Sequence, residues 1–480
     1  MKSVWSESYN VKENSSLKGN IDTDIVIIGG GIAGLLIAYM LKMKGKDPIV
    51  IDKGRVLKGN TENTTAKITI QHDLIYDKLI EEFGYENAEK YAKANKLAID
   101  TYKKIVSENN IECAFEIADS YIYSLNNTKK IESEYEAAIK LGIDAELVDE
   151  IELPFDITKA LKFKNQANFN PIQFLNYIAK DLKIYENTKA IGIEDKVVIT
   201  ENGKIKANNI VVATHFPIIN TPGYYFLRMH QERGYVIALE NAQIIKGMYL
   251  DEAENGYSFR RYKDLLILGA SAKRTGSNEK GGEYARLREF AYKLYPSAIE
   301  KYKWSAQDCV PQDGIPYIGH YSKDLENIYV ATGFNKWGMT TSMVSAIIIS
   351  NMITGVDEEF HSIFSPERFD FTASIKDMMK DGKETVYNFI SEIVHIPLET
   401  IEEIKNGEGK IVTYNGEKIG VYKDNSGKVY KVNTRCPHLG CELNWNADDL
   451  SWDCPCHGSR FDYEGKLMGS PSIKNLNYDK

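Results

Sequence analysis

Cysteine, histidine and proline are all scarce in this 480-residue chain, at six, eight and thirteen residues. So few cysteines exclude a small fold stapled by many disulfides. A basic excess is missing too: 59 Lys and Arg stand against 68 Asp and Glu, for a net charge of -9. That balance excludes the basic face of a nucleic-acid-binding protein. The chain also lacks a long apolar run, since its most apolar stretch, Ile25 to Met43, is punctured by four glycines. That is too short and broken for a membrane span. The polar opening MKSVWSESYNVKENSSLKGN has no apolar core of a secretory signal, so the cytoplasm is the expected compartment. What remains, 43% hydrophobic and 26% charged residues, is the make-up of a soluble globular protein. Its length is too great for one hydrophobic core and implies roughly two or three domains.

The few cysteines are unevenly placed, with four of the six between Cys436 and Cys456. In a reducing compartment, clustered cysteines point to metal or redox chemistry rather than staples. Cys436-Pro-His438 and Cys454-Pro-Cys456-His457 are separated by 15 residues between His438 and Cys454, and each arm offers one thiolate and one imidazole. Zinc accepts the same ligand types, but these spacings depart from its usual patterns. Two thiolates on one iron and two imidazoles on the other is the division found in a Rieske centre.

The surrounding sequence, CPHLGC followed by CPCHGSRFD, closely resembles the Rieske proteins of cytochrome bc complexes. The resemblance covers about 85 residues, 395–480, and implies a small all-β domain. It assigns Cys436, His438, Cys454 and His457 as ligands and pairs Cys441 with Cys456 in a disulfide. Gly469-Ser-Pro471 resembles the family's loop over the cluster. One departure matters: Ser459 keeps the family's hydroxyl near a cluster sulfur, but Phe461 replaces a tyrosine that donates to a ligand cysteine. Losing a donor beside the sulfurs disfavours the reduced, more negative cluster, so a potential below that of the respiratory proteins is expected.

Near the other end, residues 24–52 read strand, glycine turn, helix, strand. Gly29 permits the tight turn, Gly31 lets backbone approach a pyrophosphate, and Gly34 allows close helix–strand packing. Asp52 ends the second strand 18 residues after Gly34, where a carboxylate meets ribose hydroxyls, and Lys53 follows it. Together these predict a dinucleotide site.

Further segments choose the dinucleotide. The strand Ile210–Thr214, containing Ala213, resembles the second cofactor-side strand of flavoproteins. Asp313 to Gly319, then Gly333, Trp337, Gly338, Met339 and Thr340 at a helix start, resemble the flavin segment of the D-amino-acid oxidase/glycine oxidase group. The loop Asn63 to Lys67, with Thr64 and Thr65, stands where that group wraps FAD. The resemblance implies FAD, with a helix N-terminus facing the flavin. It also implies non-covalent attachment: Ala306 occupies the attachment position, and Cys309 is read as a small buried thiol.

The expected architecture is therefore an α/β FAD-binding (Rossmann-like) domain with an inserted antiparallel-sheet substrate domain, plus a small all-β Rieske domain. By residues, 1–20 is an N-terminal extension and 21–368 the FAD-dependent oxidoreductase. Its FAD-binding segments are expected at about 21–80, 147–217 and 304–368, and the substrate domain mainly at 81–146 and 218–303. A helical connector at 369–394 leads into the Rieske domain at 395–480. In amine-oxidising relatives a pocket arginine clamps a substrate carboxylate, which marks Arg260, Tyr257 and Arg233 as candidates, with Arg228 and Arg261 behind them. The implied activity is oxidation of a small amine or amino acid at a C–N bond, with electrons passed singly through the cluster to an external acceptor. An NAD(P)H-dependent reductase would need a second GxGxxG, which is missing. A non-catalytic redox sensor is the remaining alternative.

Overall fold

The computed structural model describes residues 2–254, 256–270, 272–357, 359–368 and 400–478. The connector expected at 369–394 lies outside the described residues. Strand β1, Ile21–Ile28, ends in four fully buried positions and is followed by helix α1, Ile32–Met43, and strand β2, Ile49–Ile51. An apolar run of this kind suits a parallel strand covered on both faces. β1 pairs in parallel with β2 on one side and with Gly203–Val212 on the other. Lys183–Tyr185 extends the sheet beyond β2, and Ile328–Thr332 and Tyr317–His320 extend it at the far side. All these pairs are parallel except the last, and the helix Gly338–Thr354 packs across α1.

A second sheet of ten strands carries Met229–Glu240 and Ile299–Pro311 as its longest pair. It is antiparallel apart from one parallel pair, Met248–Asp251 on Glu116–Ser124. The strand Lys159–Asn168, from a stretch expected on the cofactor side, pairs instead with Glu116–Ser124 in this sheet. Lys162 and Lys164 flank the buried Phe163, an in–out pattern that suits an antiparallel strand better than a parallel one covered on both faces. The helix Tyr85–Glu108 buries Ala88, Tyr91, Ala94, Ala98 and Ile105 at three-to-four-residue spacings along most of its length. The C-terminal domain consists of a three-stranded and a four-stranded sheet.

The polar opening segment proves to be tied down. Trp5 is fully buried, and its indole N–H donates to the Thr64 carbonyl at 2.7 Å. A single tryptophan among polar neighbours carries too little periodicity to be read as core.

Candidate functional site

One cavity of about 980 Å³ runs between the two large sheets. Gly29, Gly31, Asp52, Lys53, Thr64, Thr65, Ala213, Trp337, Gly338 and Met339 all line it. Gly34, Gly333 and Thr340 stand behind this wall. A Cβ on Gly34 would lie 1.9 Å from the Gly29 carbonyl oxygen, so Gly34 serves helix–strand contact. A Cβ on Gly31 would meet only the Thr61 hydroxyl, at 3.2 Å, so its other side is open to the cavity. The Asp52 carboxylate accepts the Gly30 and Gly54 amides, each at 2.8 Å, which fixes it at the rim of the glycine turn.

The loop Asn63–Ala66 shows why its neighbours have their identities. Trp304 takes the Asn63 carbonyl at 3.0 Å, Trp5 that of Thr64, and Arg260 those of Thr65 and Ala66 at 2.8 and 2.6 Å. With the carbonyls drawn to the core side, Thr64 and Thr65 remain on the cavity wall. At the opposite end, the helix Gly338–Thr354 points its first turn at the cavity, where backbone N–H groups lack intrahelical partners. Thr340 anchors this turn by donating to the Thr69 carbonyl at 2.8 Å, and Tyr102 donates to that of Met339 at 2.8 Å. Trp337 stacks on His72 with ring centroids 4.9 Å apart. Glycine turn, open backbone approach, hydroxyl-lined loop and helix N-terminus together form a cradle that fits an anionic dinucleotide. Ala306 lines the cavity, while the buried Cys309 turns its thiol towards the His215 carbonyl at 3.5 Å.

The arginines expected in the substrate pocket are committed elsewhere. Arg260, 1% exposed, clamps the loop just described and also donates to Asn168 Oδ1 at 3.1 Å. Arg261 pairs with Glu116 at 3.0 Å, and Arg228 donates to the Pro366 carbonyl at 2.8 Å. Arg233 lines the cavity but is paired with Asp449 of the C-terminal domain. Tyr257 stacks flat on Phe290 at 3.7 Å and is not part of the cavity wall.

The charged groups that do line the cavity near Trp337 are Lys67, Asp73, Glu232, Asp308 and Lys336. Burial, helped by nearby Arg260, lowers Lys67 to about 7. Burial raises Asp308 to about 6, against the pull of Lys336. Burial also opposes charge on Glu232, but hydrogen bonds from His230 and Lys336 win and hold it at about 2. Sequence reasoning did not single these out. The available signal was an acid, Asp308, in the half of its strand where buried residues alternate.

In the C-terminal domain, Cys436 and Cys454 are 2% and 1% exposed. The neighbouring Cys454 thiol donates to Cys436 and draws it down to about 7, while Cys454 itself is pushed up. The Ser459 hydroxyl also bonds to Cys436. The His438 and His457 rings stand 5.0 Å apart. Burial keeps both neutral, lowering them to about 4 and about 3. The Nδ1 atom of each is buried without a hydrogen-bond partner among the described residues. Two adjacent thiols and two neutral imidazoles with spare buried nitrogens fit a [2Fe–2S] cluster. A disulfide joins Cys441 to Cys456.

The two halves meet at these loops. Gln307 donates to Gln231 Oε1 at 2.6 Å and to the Gly458 carbonyl at 2.7 Å, and Gln231 donates to the His457 carbonyl at 2.7 Å. Gly458, at φ +82°, allows the approach, since a Cβ would lie 2.6 Å from that of Gln231. His438 Nε2 lies 3.0 Å from Asn220 Oδ1, and Phe226 sets its ring edge-on to both imidazoles.

Residues 24–352 match the family model for FAD dependent oxidoreductases, and residues 395–478 match that for the Rieske [2Fe-2S] domain. The Rieske 2Fe-2S iron-sulfur protein YhfW of Bacillus subtilis (strain 168) is 37% identical, over 98% of this chain and 96% of its own. Among solved structures, glycine oxidase from Geobacillus kaustophilus superposes with a TM-score of 0.62 at 16% identity, over 73% of this chain and 99% of that one. L-proline dehydrogenase from P. horikoshii gives 0.61 at 19% identity, over 74% and 98%. At such identities these likenesses speak for the fold alone. No helix among the described residues is long and apolar enough to cross a membrane.

Proposed function

The chain belongs to the FAD dependent oxidoreductase family and carries a C-terminal Rieske [2Fe-2S] domain, so its cofactors are FAD and that cluster; from this premise we propose that it oxidises a small amine or amino acid at a C–N bond and passes the electrons singly through the cluster to an external acceptor. The observation that carries the reading is the buried pair Gln231 and Gln307. Both line the FAD cavity and both hold the loop that bears His457.

FAD supplies acceptance of an electron pair and the cluster one-electron exchange. The rest falls to the protein. Gly29, Gly31 and Asp52 hold the adenosine diphosphate end, and the helix start at Gly338 faces the flavin end. Cys436, Cys454, His438 and His457 hold the iron. Lys67, rather than an arginine, offers the buried cation that orients a substrate carboxylate. Orientation against the flavin is the main demand of such a reaction. Trp337 and the apolar residues Val236 and Leu250 exclude water around it.

Anaerobic mixing with a panel of amino acids and secondary amines tests this reading. One class should bleach the flavin and bring up the rhombic EPR signal of a histidine-ligated [2Fe–2S] cluster, while NADH leaves both unchanged. Zinc in place of iron, or a bleached flavin beside a permanently oxidised cluster, would remove the electron path.

A further inference from the structure

The end of the cavity marked by Asp52 is covered by the other domain. The strand Leu467–Gly469 and the residues up to Ile473 contribute Leu467, Met468, Gly469, Ser470, Ser472 and Ile473 to the same wall as Gly29 and Gly31. Lys53, next to Asp52, donates to the Met468 carbonyl at 3.5 Å, and Lys189 donates to that of Ile473 at 2.6 Å. In a strand–turn–helix–strand unit, the acid closing the second strand faces the ribose of the adenosine. The covering segment therefore lies over that half of the dinucleotide.

This cover is fixed from both sides. Gln231 of the large sheet donates to the Ser470 carbonyl at 3.0 Å. The Ser472 amide donates to Ser459 Oγ at 3.0 Å, and that hydroxyl bonds to Cys436. Nearby, the Asp449 carboxylate, 2% exposed, takes Arg233 and Ser305 from the large sheet and Arg460 from its own domain. A buried, mutually satisfied network of this kind fixes one docking geometry.

We propose that the FAD site is shared between the two domains, with residues 467–473 roofing the adenosine half of the cofactor. The same segment thus touches both centres, FAD on its inner side and the ligand Cys436 through Ser472 and Ser459. The proposal rests on the assignment of Gly29, Gly31 and Asp52 to FAD made above.

Hydrogen–deuterium exchange tests it on the full-length, cluster-loaded protein stripped of flavin, with ADP as the probe of the adenosine half. ADP should slow exchange in 467–473 together with 29–34. Protection of 29–34 alone overturns the shared site, and protection of neither overturns the assignment beneath it as well. A second measurement uses Gly469→Phe, because a Cβ there meets only Arg460 Cβ, at 3.8 Å, and the backbone accepts a side chain. With iron content and the EPR signal of the variant measured on the same sample, flavin release on dilution should show FAD held at least tenfold more weakly. Wild-type affinity in that variant overturns the roof.

Discussion

The proposed cluster ligands lie on two short loops of one small domain, whereas the charged groups near Trp337 in the cavity, Lys67, Asp73, Glu232, Asp308 and Lys336, are distributed over most of the large domain. The first set works through what each loop holds by itself: cysteine, proline, histidine and a tight turn. The second exists only after the ten-stranded sheet has closed over the parallel one. Chemistry concentrated in a loop survives as a pattern in the sequence; chemistry assembled across a sheet does not. Loss of a cluster ligand should therefore act locally and completely, and loss of a cavity charge by degrees.

The sharpest break is Cys454→Ser. Iron and the rhombic EPR signal should vanish while the visible flavin spectrum stays. Joint loss of flavin and iron would mean that the two regions are not separable in this way.

The glycine turn divides into two cases, next in size. Gly34→Ala pushes a methyl group to 1.9 Å from a backbone oxygen and should prevent folding of the parallel sheet. Gly31→Ala finds 3.2 Å to a side-chain hydroxyl, so the chain should fold with normal helix content while flavin affinity falls on the order of a hundredfold. Circular dichroism and flavin titration of both variants distinguish a packing role from a binding role.

The same contrast explains what was legible beforehand. β1, α1, β2, the glycine turn and the cluster loops each satisfy a local requirement written in adjacent residues. Arg260 was legible as a candidate functional arginine, but not in its role. Its partners are carbonyls at positions 65 and 66, nearly two hundred residues away, and a buried arginine fits a substrate clamp and a loop clamp equally well until those partners are known. Trp5 was missed because it enters the core beside Val4 alone, with no periodic apolar face along its segment. The strand Lys159–Asn168 falls inside the expected segment 147–217 but pairs in the other sheet, because its partner Glu116–Ser124 lies far back in the chain.

Lys67 gives a graded effect. Because burial lowers it to about 7 from an ordinary 10.5, it carries charge below about pH 7 and loses it above. Binding of a simple carboxylate, followed by flavin spectral perturbation, should weaken about tenfold per pH unit above that point. Lys67→Met should bind weakly at every pH. A wild-type profile that stays flat through pH 7 would place the substrate cation elsewhere.

Phe461 should produce the smallest change. It is fully buried in the cluster of side chains that includes Cys436, Cys441, Cys454 and Cys456, and it offers them no hydrogen bond. Ser459 is then the one side-chain hydroxyl donating to a ligand cysteine among the described contacts. A hydrogen bond to sulfur stabilises the reduced cluster, which carries more negative charge, so each donor raises the potential. Phe461→Tyr, placing a hydroxyl where the cytochrome-type Rieske proteins have one, should raise the midpoint. A bond of about 1 kcal/mol corresponds to about 40 mV for a one-electron couple. Ser459→Ala should move it a similar distance down, and both shifts are readable by EPR-monitored titration. An unchanged midpoint in the tyrosine variant would mean that the loops, and not the hydroxyl count, set the potential of this cluster.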